Sequence, residues 1–282
     1  MSFQPEFLTN LCAIESIKIH FSHTDQFIEL NDPQIDNSHI HNFFEIYVNV
    51  SGDVAFLHNH NVYQIHSGDI ILSKPGEIHH CIYHSACVHE HYCIWFELPE
   101  SSAIASYIDH HQLNGLVRLN SNLHEQLFTL LRQFSTSINC NNEFELLICF
   151  FDLLKLFSQK CLSSQDANLD IPVKMQTILN YINESFAEID SIDQIAIKFH
   201  LSVPTINRWF RQYLKLSPRK LLTAKKLAYA EQLLHGDHSV LETCYLAGFS
   251  DCSRFISLFR NNYGKTPFQY KKGVADSNRD RN

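Results

Sequence analysis

The order of apolar and polar residues divides the chain into a β-rich part and a helical part. Between residues 39 and 98, short apolar runs such as 43–50, 54–57 and 70–72 alternate with turns that contain Gly, Pro or Asn. Closely spaced short strands of this kind indicate a β-sandwich or a β-barrel. From about residue 100 onward the apolar residues recur at helical spacing. The pattern therefore predicts an α+β chain in which a barrel is followed by helices.

The segment 143–157 has apolar residues on nearly every face of a helix. One stripe is formed by positions 144, 147, 148, 151 and 154, and a second by positions 146, 150, 153 and 157. A helix that is apolar all round is buried within its domain or against a partner subunit. We therefore expect the helices of residues 101–162 to support the barrel and to make the protein a homodimer.

Polar composition marks the domain limits. The stretch 163–172 reads as a linker between an N-terminal domain, residues 1–162, and a helical C-terminal domain, residues 173–272. The polar tail, residues 273–282, is predicted to be disordered.

Charge is distributed unevenly between the two parts. Residues 1–170 hold 6 Lys and Arg against 20 Asp and Glu, a net charge of −14, whereas residues 171–282 hold 16 against 10, a net charge of +6. A basic half indicates an anionic partner, and nucleic acid is the first candidate.

Composition excludes several classes of protein. With 45% hydrophobic and 18% charged residues the chain is not expected to be disordered. No run of 18 apolar residues and no signal peptide occur, so we expect a cytoplasmic protein without a membrane partner. The nine cysteines contain no CxxC motif and are interpreted as reduced thiols. Nucleotide-binding and nucleophile-elbow motifs are absent.

The basic half contains an internal repeat with an offset of 49 residues. Phe210-Arg211 precedes Ser217-Pro218 by seven residues, and Phe259-Arg260 precedes Thr266-Pro267 by the same distance. Along the chain, each copy is preceded by a helix, a tight turn, a predicted capping serine (Ser202 or Ser250) and a short second helix, in that order. A helix, a short turn and a helix form a helix-turn-helix unit, and the chain has two of them.

These segments resemble one family of bacterial transcription regulators. ILNYINESF, IDQIAIKFHLSVPTINRWFRQYLKLSP, LAYAEQLL and AGFSDCSRFISLFRNNYGKTPFQY are similar to the AraC family over about a hundred residues. The resemblance implies an all-α domain whose two units enter successive major grooves of double-stranded DNA, joined by a helix from about Pro218 to His235. The sequence departs from the family pattern at Lys215, Lys226 and the pair Thr243-Cys244, where Gly, Arg and Ile-Ala are usual.

The resemblance also implies which residues meet DNA. Helical spacing assigns Ile206, Trp209 and Phe210, and likewise Phe255, Leu258 and Phe259, to the core. The base-reading positions of the family fall on Pro204, Asn207 and Arg208. The outward residues of the first helix are Pro204, Thr205, Asn207, Arg208 and Arg211. Those of the second helix are Cys252, Ser253, Arg254 and Ser257. We assign Arg211, Lys215, Arg260 and Lys265 to contacts with DNA phosphates.

The histidines of the acidic half form a second motif. His39, His41, Glu45 and His79 stand at a spacing similar to the two motifs of the cupin barrel, except for the adjacent Pro-Gly and a missing asparagine. On a strand, residues 39, 41 and 45 share a face. This set can bind a divalent metal such as Fe, Mn, Zn or Ni, although AraC-family sensor domains commonly keep such residues without metal. The expected effector pocket comprises His39, His41, Phe43, Glu45, Tyr47 and His79.

Together these features predict a DNA-binding transcription regulator, not an enzyme, that responds to a small effector. Polar acceptors, imidazoles and aromatic faces suit a sugar or another hydroxylated metabolite. RNA polymerase would be a further partner of an activator. Two alternatives stay open: a metal-dependent cupin enzyme fused to a DNA-binding domain, and a dimeric regulator without effector, whose barrel would be filled by Phe and Tyr side chains.

Overall fold

A computed structural model of the chain describes residues 17–29, 41–99, 102–140, 142–159 and 171–279. The strands of the N-terminal part are β1 (Lys18–Ile28), β2 (Phe44–Ser51), β3 (Val54–His58), β4 (Asn61–Gln64), β5 (Ile70–Ser73), β6 (His79–Tyr83), β7 (Cys87–Glu97) and β8 (Gly115–Val117). Residue 39 and most of the expected linker, residues 163–170, lie outside the described residues.

The strands form two antiparallel sheets that close on a shared interior. One sheet has the order β1-β7-β2-β5-β8 and the other the order β4-β3-β6. Tyr47 and Trp95 from the first sheet and Phe56 and Tyr63 from the second belong to one buried cluster. The predicted cupin-like barrel is therefore present, with alternate strand residues facing its interior.

Two strands were missed by the sequence pattern. β1 pairs with β7 over its whole length, from Lys18 opposite Glu97 to Ile28 opposite Cys87. Its sequence, KIHFSHTDQFI, is polar at most positions from residue 22 to residue 26 and lacks a sustained alternation. This strand is therefore determined by its pairing with β7, about seventy residues away, and not by an apolar pattern of its own. The three-residue strand β8 pairs with β5 in the same way.

Helices α1 (Ala103–His110), α2 (Ser121–Asn139) and α3 (Glu143–Phe157) cover the outer face of the five-stranded sheet. α3 has the predicted limits. Its Phe150 and Phe157 are fully buried beside Phe96 of β7. The other predicted stripe is divided: positions 147 and 154 are buried, whereas Phe144, Ile148 and Phe151 are 68%, 41% and 45% exposed.

The C-terminal part consists of α4 (Val173–Ser185), α5 (Ile192–Phe199), α6 (Val203–Trp209), α7 (Pro218–His235), α8 (Val240–Leu246), α9 (Cys252–Tyr263) and α10 (Pro267–Arg279). The pairs α5–α6 and α8–α9 are the two predicted helix-turn-helix units, and α7 joins them with the predicted limits. The last turn of α6 continues as a π-helical segment, Phe210–Leu214.

Two details differ from the sequence predictions. The N-cap of α9 is Asp251 and not Ser250, because the Asp251 carboxylate accepts hydrogen bonds from the backbone N–H groups of Ser253 (2.8 Å) and Arg254 (3.1 Å). α10 continues to Arg279, beyond residue 272, where we expected order to end. Gly273 lies within it, and no proline follows Pro267 to end the helix.

The outer face of the three-stranded sheet is buried against the C-terminal helices. Ala55, Leu57 and Ile82 share a cluster with Ile178 and Leu214. This contact explains why β3, with the sequence VAFLH, is buried at every position instead of alternating. Within the described residues, no helix combines the length and the apolar character needed to cross a membrane.

Candidate functional site

The first recognition helix, α6, presents a polar face to solvent. Its N-cap is Ser202, whose hydroxyl accepts a hydrogen bond from the N–H of Thr205. Ile206 and Phe210 are fully buried and Trp209 is half-buried, as predicted for the core side. On the outward side the residues assigned to DNA are exposed or half-buried: Pro204, Arg208 and Arg211 are exposed, and Thr205 and Asn207 are half-buried.

The second recognition helix, α9, repeats this arrangement. Phe255 and Phe259 are fully buried, and Leu258 is half-buried. The outward residues Ser253, Arg254, Ser257 and Arg260 are exposed, and Cys252 is half-buried. Ser257 Oγ donates to the Ser253 carbonyl at 3.0 Å, so its hydroxyl proton is already used inside the helix. The Arg254 guanidinium is therefore the strongest outward donor near the start of α9.

Lys226 on α7 connects the two helix-turn-helix units. Its ammonium group donates to the carbonyl of Ile189, ahead of α5, at 2.8 Å and to the carbonyl of Gly248, in the second turn, at 2.6 Å. Burial lowers the pKa of Lys226. Gly248 has a φ of +79° and lies so close to the Ala187 carbonyl that a side chain there would collide with it. Lys226 thus serves as an internal donor at a position where the resemblance led us to expect arginine.

Of the pair Thr243-Cys244, Cys244 has a side-chain hydrogen bond, whereas the buried Thr243 Oγ1 has no partner among the described residues. Both residues are fully buried in α8, and Cys244 Sγ donates to the carbonyl of Phe249 at 3.6 Å. The substitution for Ile-Ala therefore leaves the second turn closed by an additional weak hydrogen bond.

At one end of the barrel, three of the predicted residues converge on a single oxygen atom. His41 Nε2 lies 3.1 Å and His79 Nε2 lies 3.3 Å from Glu45 Oε2. All three side chains are buried. β2 supplies Glu45, β6 supplies His79, and His41 precedes β2. Phe43 stacks on the His41 ring with a centroid distance of 3.6 Å.

The remaining nitrogens of the two imidazoles show which tautomer they adopt. His41 Nδ1 lies 3.0 Å from the Phe43 carbonyl, and His79 Nδ1 lies 3.0 Å from the Glu77 carbonyl. A carbonyl oxygen only accepts, so each Nδ1 carries a proton and donates it. In the neutral imidazole the lone pair of Nε2 then faces the Glu45 carboxylate. A positive charge, either a proton or a metal ion, must lie between these atoms.

This donor set fits a divalent metal ion. Two Nε2 atoms and a carboxylate oxygen of His41, Glu45 and His79 all lie within 4.8 Å of one another. Metal-bound histidines commonly donate the other ring N–H to a carbonyl, as both do here. Zn, Fe, Ni and Mn accept such mixed nitrogen and oxygen ligands.

The sequence reasoning missed Trp95 at this site. Trp95 Nε1 donates to Glu45 Oε2 at 2.5 Å, and its ring stacks with His20 at a centroid distance of 5.1 Å. The signal is in the strand register, since Glu45 on β2 pairs directly with Trp95 on β7. A sequence pattern cannot supply this register without knowledge of which strands are neighbours.

Tyr47 belongs to a different polar chain in the barrel. Its hydroxyl lies 2.8 Å from His89 Nε2, and the Tyr83 hydroxyl lies 2.8 Å from His89 Nδ1. Tyr47 also donates to Asn49 Oδ1 at 3.2 Å. Burial, with a smaller effect of the nearby His91, lowers the pKa of His89 to about 3. His89 is therefore a neutral hydrogen-bond bridge between two tyrosines.

Apolar side chains fill the middle of the barrel. Phe56, Ile71 and Tyr63 are buried in one cluster with Tyr47 and Trp95. Aromatic filling is the feature that we associated with a regulator lacking an effector. The polar atoms at the Glu45 end are the barrel atoms best suited to recognise a ligand.

Comparison with known protein families identifies both parts of the chain. A family model described as an AraC-like ligand binding domain matches residues 26–147. A second model, described as a helix-turn-helix domain, matches residues 195–273.

Curated relatives carry names of transcription activators. The HTH-type transcriptional activator RhaS of Escherichia fergusonii is 32% identical over 149 residues, which are 52% of this chain and 53% of that protein. RhaS of Salmonella schwarzengrund is 26% identical over 247 residues, which are 83% of this chain and 87% of that protein. The match thus spans about half of the first relative and most of the second. A solved DNA-binding transcriptional dual regulator from Escherichia coli K-12 is 27% identical, with a TM-score of 0.34, over 39% of this chain and 99% of that one.

Proposed function

Because the chain belongs to the AraC family of DNA-binding transcription regulators, we propose that it controls transcription by binding double-stranded DNA in response to a small molecule. The observation that carries this proposal is the doubled helix-turn-helix unit, in which both recognition helices leave a basic, polar face exposed. The net charge of +6 on residues 171–282 favours an anionic partner.

Arg208 and Arg254 are the proposed base readers with the clearest chemistry. Arginine can donate two hydrogen bonds to guanine, and asparagine can pair with adenine, which suits Asn207. Pro204 offers only an apolar contact. Thr205, Ser253 and Ser257 lie on the same outward faces, whereas Arg211, Lys215, Arg260 and Lys265 are assigned to phosphates, which set affinity but not sequence.

The proposed effector is a small hydroxylated molecule, such as a sugar, bound at the Glu45 end of the barrel. The Glu45 carboxylate and the His41 and His79 imidazoles can accept and donate hydrogen bonds to hydroxyl groups. The Trp95 ring adds an apolar face beside them. His39 belongs to the proposed set on sequence grounds alone.

Such an effector acts only if it binds one arrangement of the protein better than another. We propose that binding changes how α3 packs, and thereby where the DNA-binding domains sit in a homodimer. If the protein is an activator, RNA polymerase is a further partner. A cytoplasmic location follows from this role, and no catalytic role is assigned to the chain.

A thermal-shift screen of the full chain tests the effector proposal. The panel contains mono- and disaccharides, sugar acids and divalent metal ions, each with and without chelator. A ligand at a hundred times its dissociation constant adds about 2.7 kcal/mol, a shift of several degrees. We expect stabilisation by a sugar regardless of chelator in the wild type and its loss in Glu45→Gln. If neither a sugar nor a metal ion stabilises the wild type, the effector proposal is contradicted and a regulator without effector is favoured.

A divalent metal ion is the second candidate ligand, because both imidazoles present Nε2 to Glu45 while Nδ1 is held by carbonyl groups. Metal content after dialysis against ZnCl2 tests it. One equivalent in the wild type and none in His79→Ala would support a metal site. The matched control is His84→Ala, which removes an exposed histidine just after β6. Equal metal content in all three proteins would contradict the site.

The homodimer is proposed to form through α3. Phe144, Ile148 and Phe151 are exposed along one side of the helix. Beside them runs a groove of about 380 Å³ lined by Ala103, Ile104, Tyr107, Phe151, Leu154 and Lys155. Glu143 and Glu145 lie at one end of α3 and Lys155 at the other, so an antiparallel pair of α3 helices would bring opposite charges together.

A further inference from the structure

Strand β6 carries two adjacent histidines on opposite faces. Successive residues of a strand point in opposite directions. His79 points into the barrel, where it meets Glu45. His80 points outward and is buried in the contact with the C-terminal helices, with its Nε2 3.0 Å from the carbonyl oxygen of Leu214. Because a carbonyl only accepts, His80 Nε2 carries the proton and donates it.

The contact around His80 joins the two parts of the chain over a broad surface. Gln176 Nε2 on α4 donates to the His60 carbonyl, at the turn between β3 and β4, at 2.5 Å. Gly76, just ahead of β6, lies against the side-chain amide of Gln232 on α7. The barrel is therefore docked on the first helix-turn-helix unit and on the joining helix.

Leu214 lies at the carboxyl end of the first recognition helix. The last carbonyl groups of a helix lack partners within it, so an external donor stabilises that end. Here the next residue, Lys215, has a left-handed backbone with a φ of 55°, which is unfavourable for residues other than glycine. In the second unit the corresponding end is closed by Gly264, whose N–H donates to the Arg260 carbonyl at 2.8 Å. The first unit thus has a strained end that the barrel supports.

We propose that β6 couples the Glu45 end of the barrel to the carboxyl end of the first recognition helix, with His79 and His80 as the two contact points. The inference deepens the proposed function, because it names how that site would act on DNA binding. A displacement of His79 moves the same short strand that holds His80. Weakening the bond to Leu214 loosens the turn that carries Arg211 and leaves α9 unchanged.

Hydrogen–deuterium exchange of the full chain tests this coupling without DNA or effector. In His80→Ala we expect the amides of residues 210–216 to exchange roughly five to ten times faster, as the loss of one hydrogen bond implies. The amides of α9 should keep their rate. In His80→Gln, whose side-chain amide can donate, the exchange rate at residues 210–216 should lie between those of the wild type and His80→Ala. His84→Ala should match the wild type. Unchanged exchange at 210–216, or equal acceleration in both units, would overturn the proposal.

The barrel side is tested with Glu45→Gln, which keeps the size of the side chain but removes the charge that holds His79. We expect the same acceleration at residues 210–216. Ile71→Val, a conservative change on β5 in the other sheet, should leave that rate unchanged. If Glu45→Gln has no effect there, β6 does not transmit the state of the barrel and the coupling is refuted. Because the readout uses neither DNA nor a ligand, its failure is distinct from a failure of the proposed function.

Discussion

Lys215 and Gly264 stand 49 residues apart at the same position of the two helix-turn-helix units, and both have a left-handed backbone, with φ of 55° and 73°. Glycine adopts this conformation at no steric cost, whereas other residues pay for the contact between Cβ and the following carbonyl. The first unit, which ends in a π-helical turn, therefore has the less favourable C-cap. The two helix-turn-helix units thus differ, at one equivalent residue, in how favourable the left-handed backbone is.

Replacing Lys215 by Gly should increase the free energy of unfolding of the C-terminal domain by about 1 kcal/mol, because it removes the left-handed strain. Urea unfolding of the full chain, followed by circular dichroism, measures this change. Gly264→Lys is the mirror variant and should lower the free energy by a similar amount. A destabilised Lys215→Gly protein would show that the lysine side chain contributes more than its backbone costs.

Arg208→Ala and Arg254→Ala should each weaken binding to the preferred DNA sequence by about 1–3 kcal/mol and relax the preference at one base pair. The preferred sequence is obtained first by selection from a random DNA library with the wild-type protein. Titrations at fixed salt then compare each variant on this site and on single-base changes. Arg219→Ala, an exposed arginine at the start of α7, is the control. Equal weakening on every sequence would assign Arg208 or Arg254 to phosphate, and unchanged affinity would remove it from the interface.

Ile148→Glu should weaken the proposed homodimer at least roughly tenfold, or about 1.4 kcal/mol, because it places a charge in the centre of the exposed α3 stripe. Sedimentation equilibrium of the full chain measures the dissociation constant. Ile197→Glu is the matched control, since Ile197 is 75% exposed on α5, away from α3. If both variants associate like the wild type, the α3 surface is not where the copies meet.

The stability of the barrel should fall between pH 6.5 and pH 3 because of His89. Its pKa in the folded protein is about 3, lowered from 6.5 by burial first and by His91 second. Below pH 6.5 the unfolded chain therefore binds a proton that the folded protein does not, and unfolding becomes more favourable. The contribution is fully present above pH 6.5. At about 1.4 kcal/mol per unit of pKa difference, it amounts to roughly 4 kcal/mol at pH 3.

His89→Gln isolates this effect, because glutamine can bond to the hydroxyl of Tyr47 or Tyr83 but does not titrate. Urea unfolding at a series of pH values from 7 to 3 should give a shallower loss of stability in the variant than in the wild type. Parallel pH profiles for the two proteins would mean that His89 is not the group responsible.

Much of the C-terminal domain follows from the sequence by itself. The 49-residue repeat, the cap at Ser202 and the limits of α7 depend on residues within a few positions of one another, as do the limits of α3 in the N-terminal part. Helix periodicity and capping are local, so the linear pattern contains them. The face of each recognition helix that carries Arg208 or Arg254 follows from the same spacing.

The barrel site was only partly contained in the sequence. The motif spacing grouped His41, Glu45 and His79, and the structure brings these three together. The shared strand face expected for His41 and Glu45 is not formed, because His41 lies ahead of β2, which begins at Phe44. Trp95 could not be found, because its place beside Glu45 depends on the register between β2 and β7. Tyr47 lies on the same strand face as Glu45, but its hydroxyl belongs instead to the hydrogen-bonded group formed with His89 and Tyr83.

By itself, the sequence determined the class of each domain, the repeated DNA-binding unit and the local residues of each helix, because short-range periodicity encodes them. Only the tertiary structure decided which stripe of α3 is exposed, where β1 pairs, and that His80 supports the end of the first recognition helix. Those relationships join residues that are far apart in the chain. They arise from burial and strand pairing between distant segments, for which no linear pattern exists.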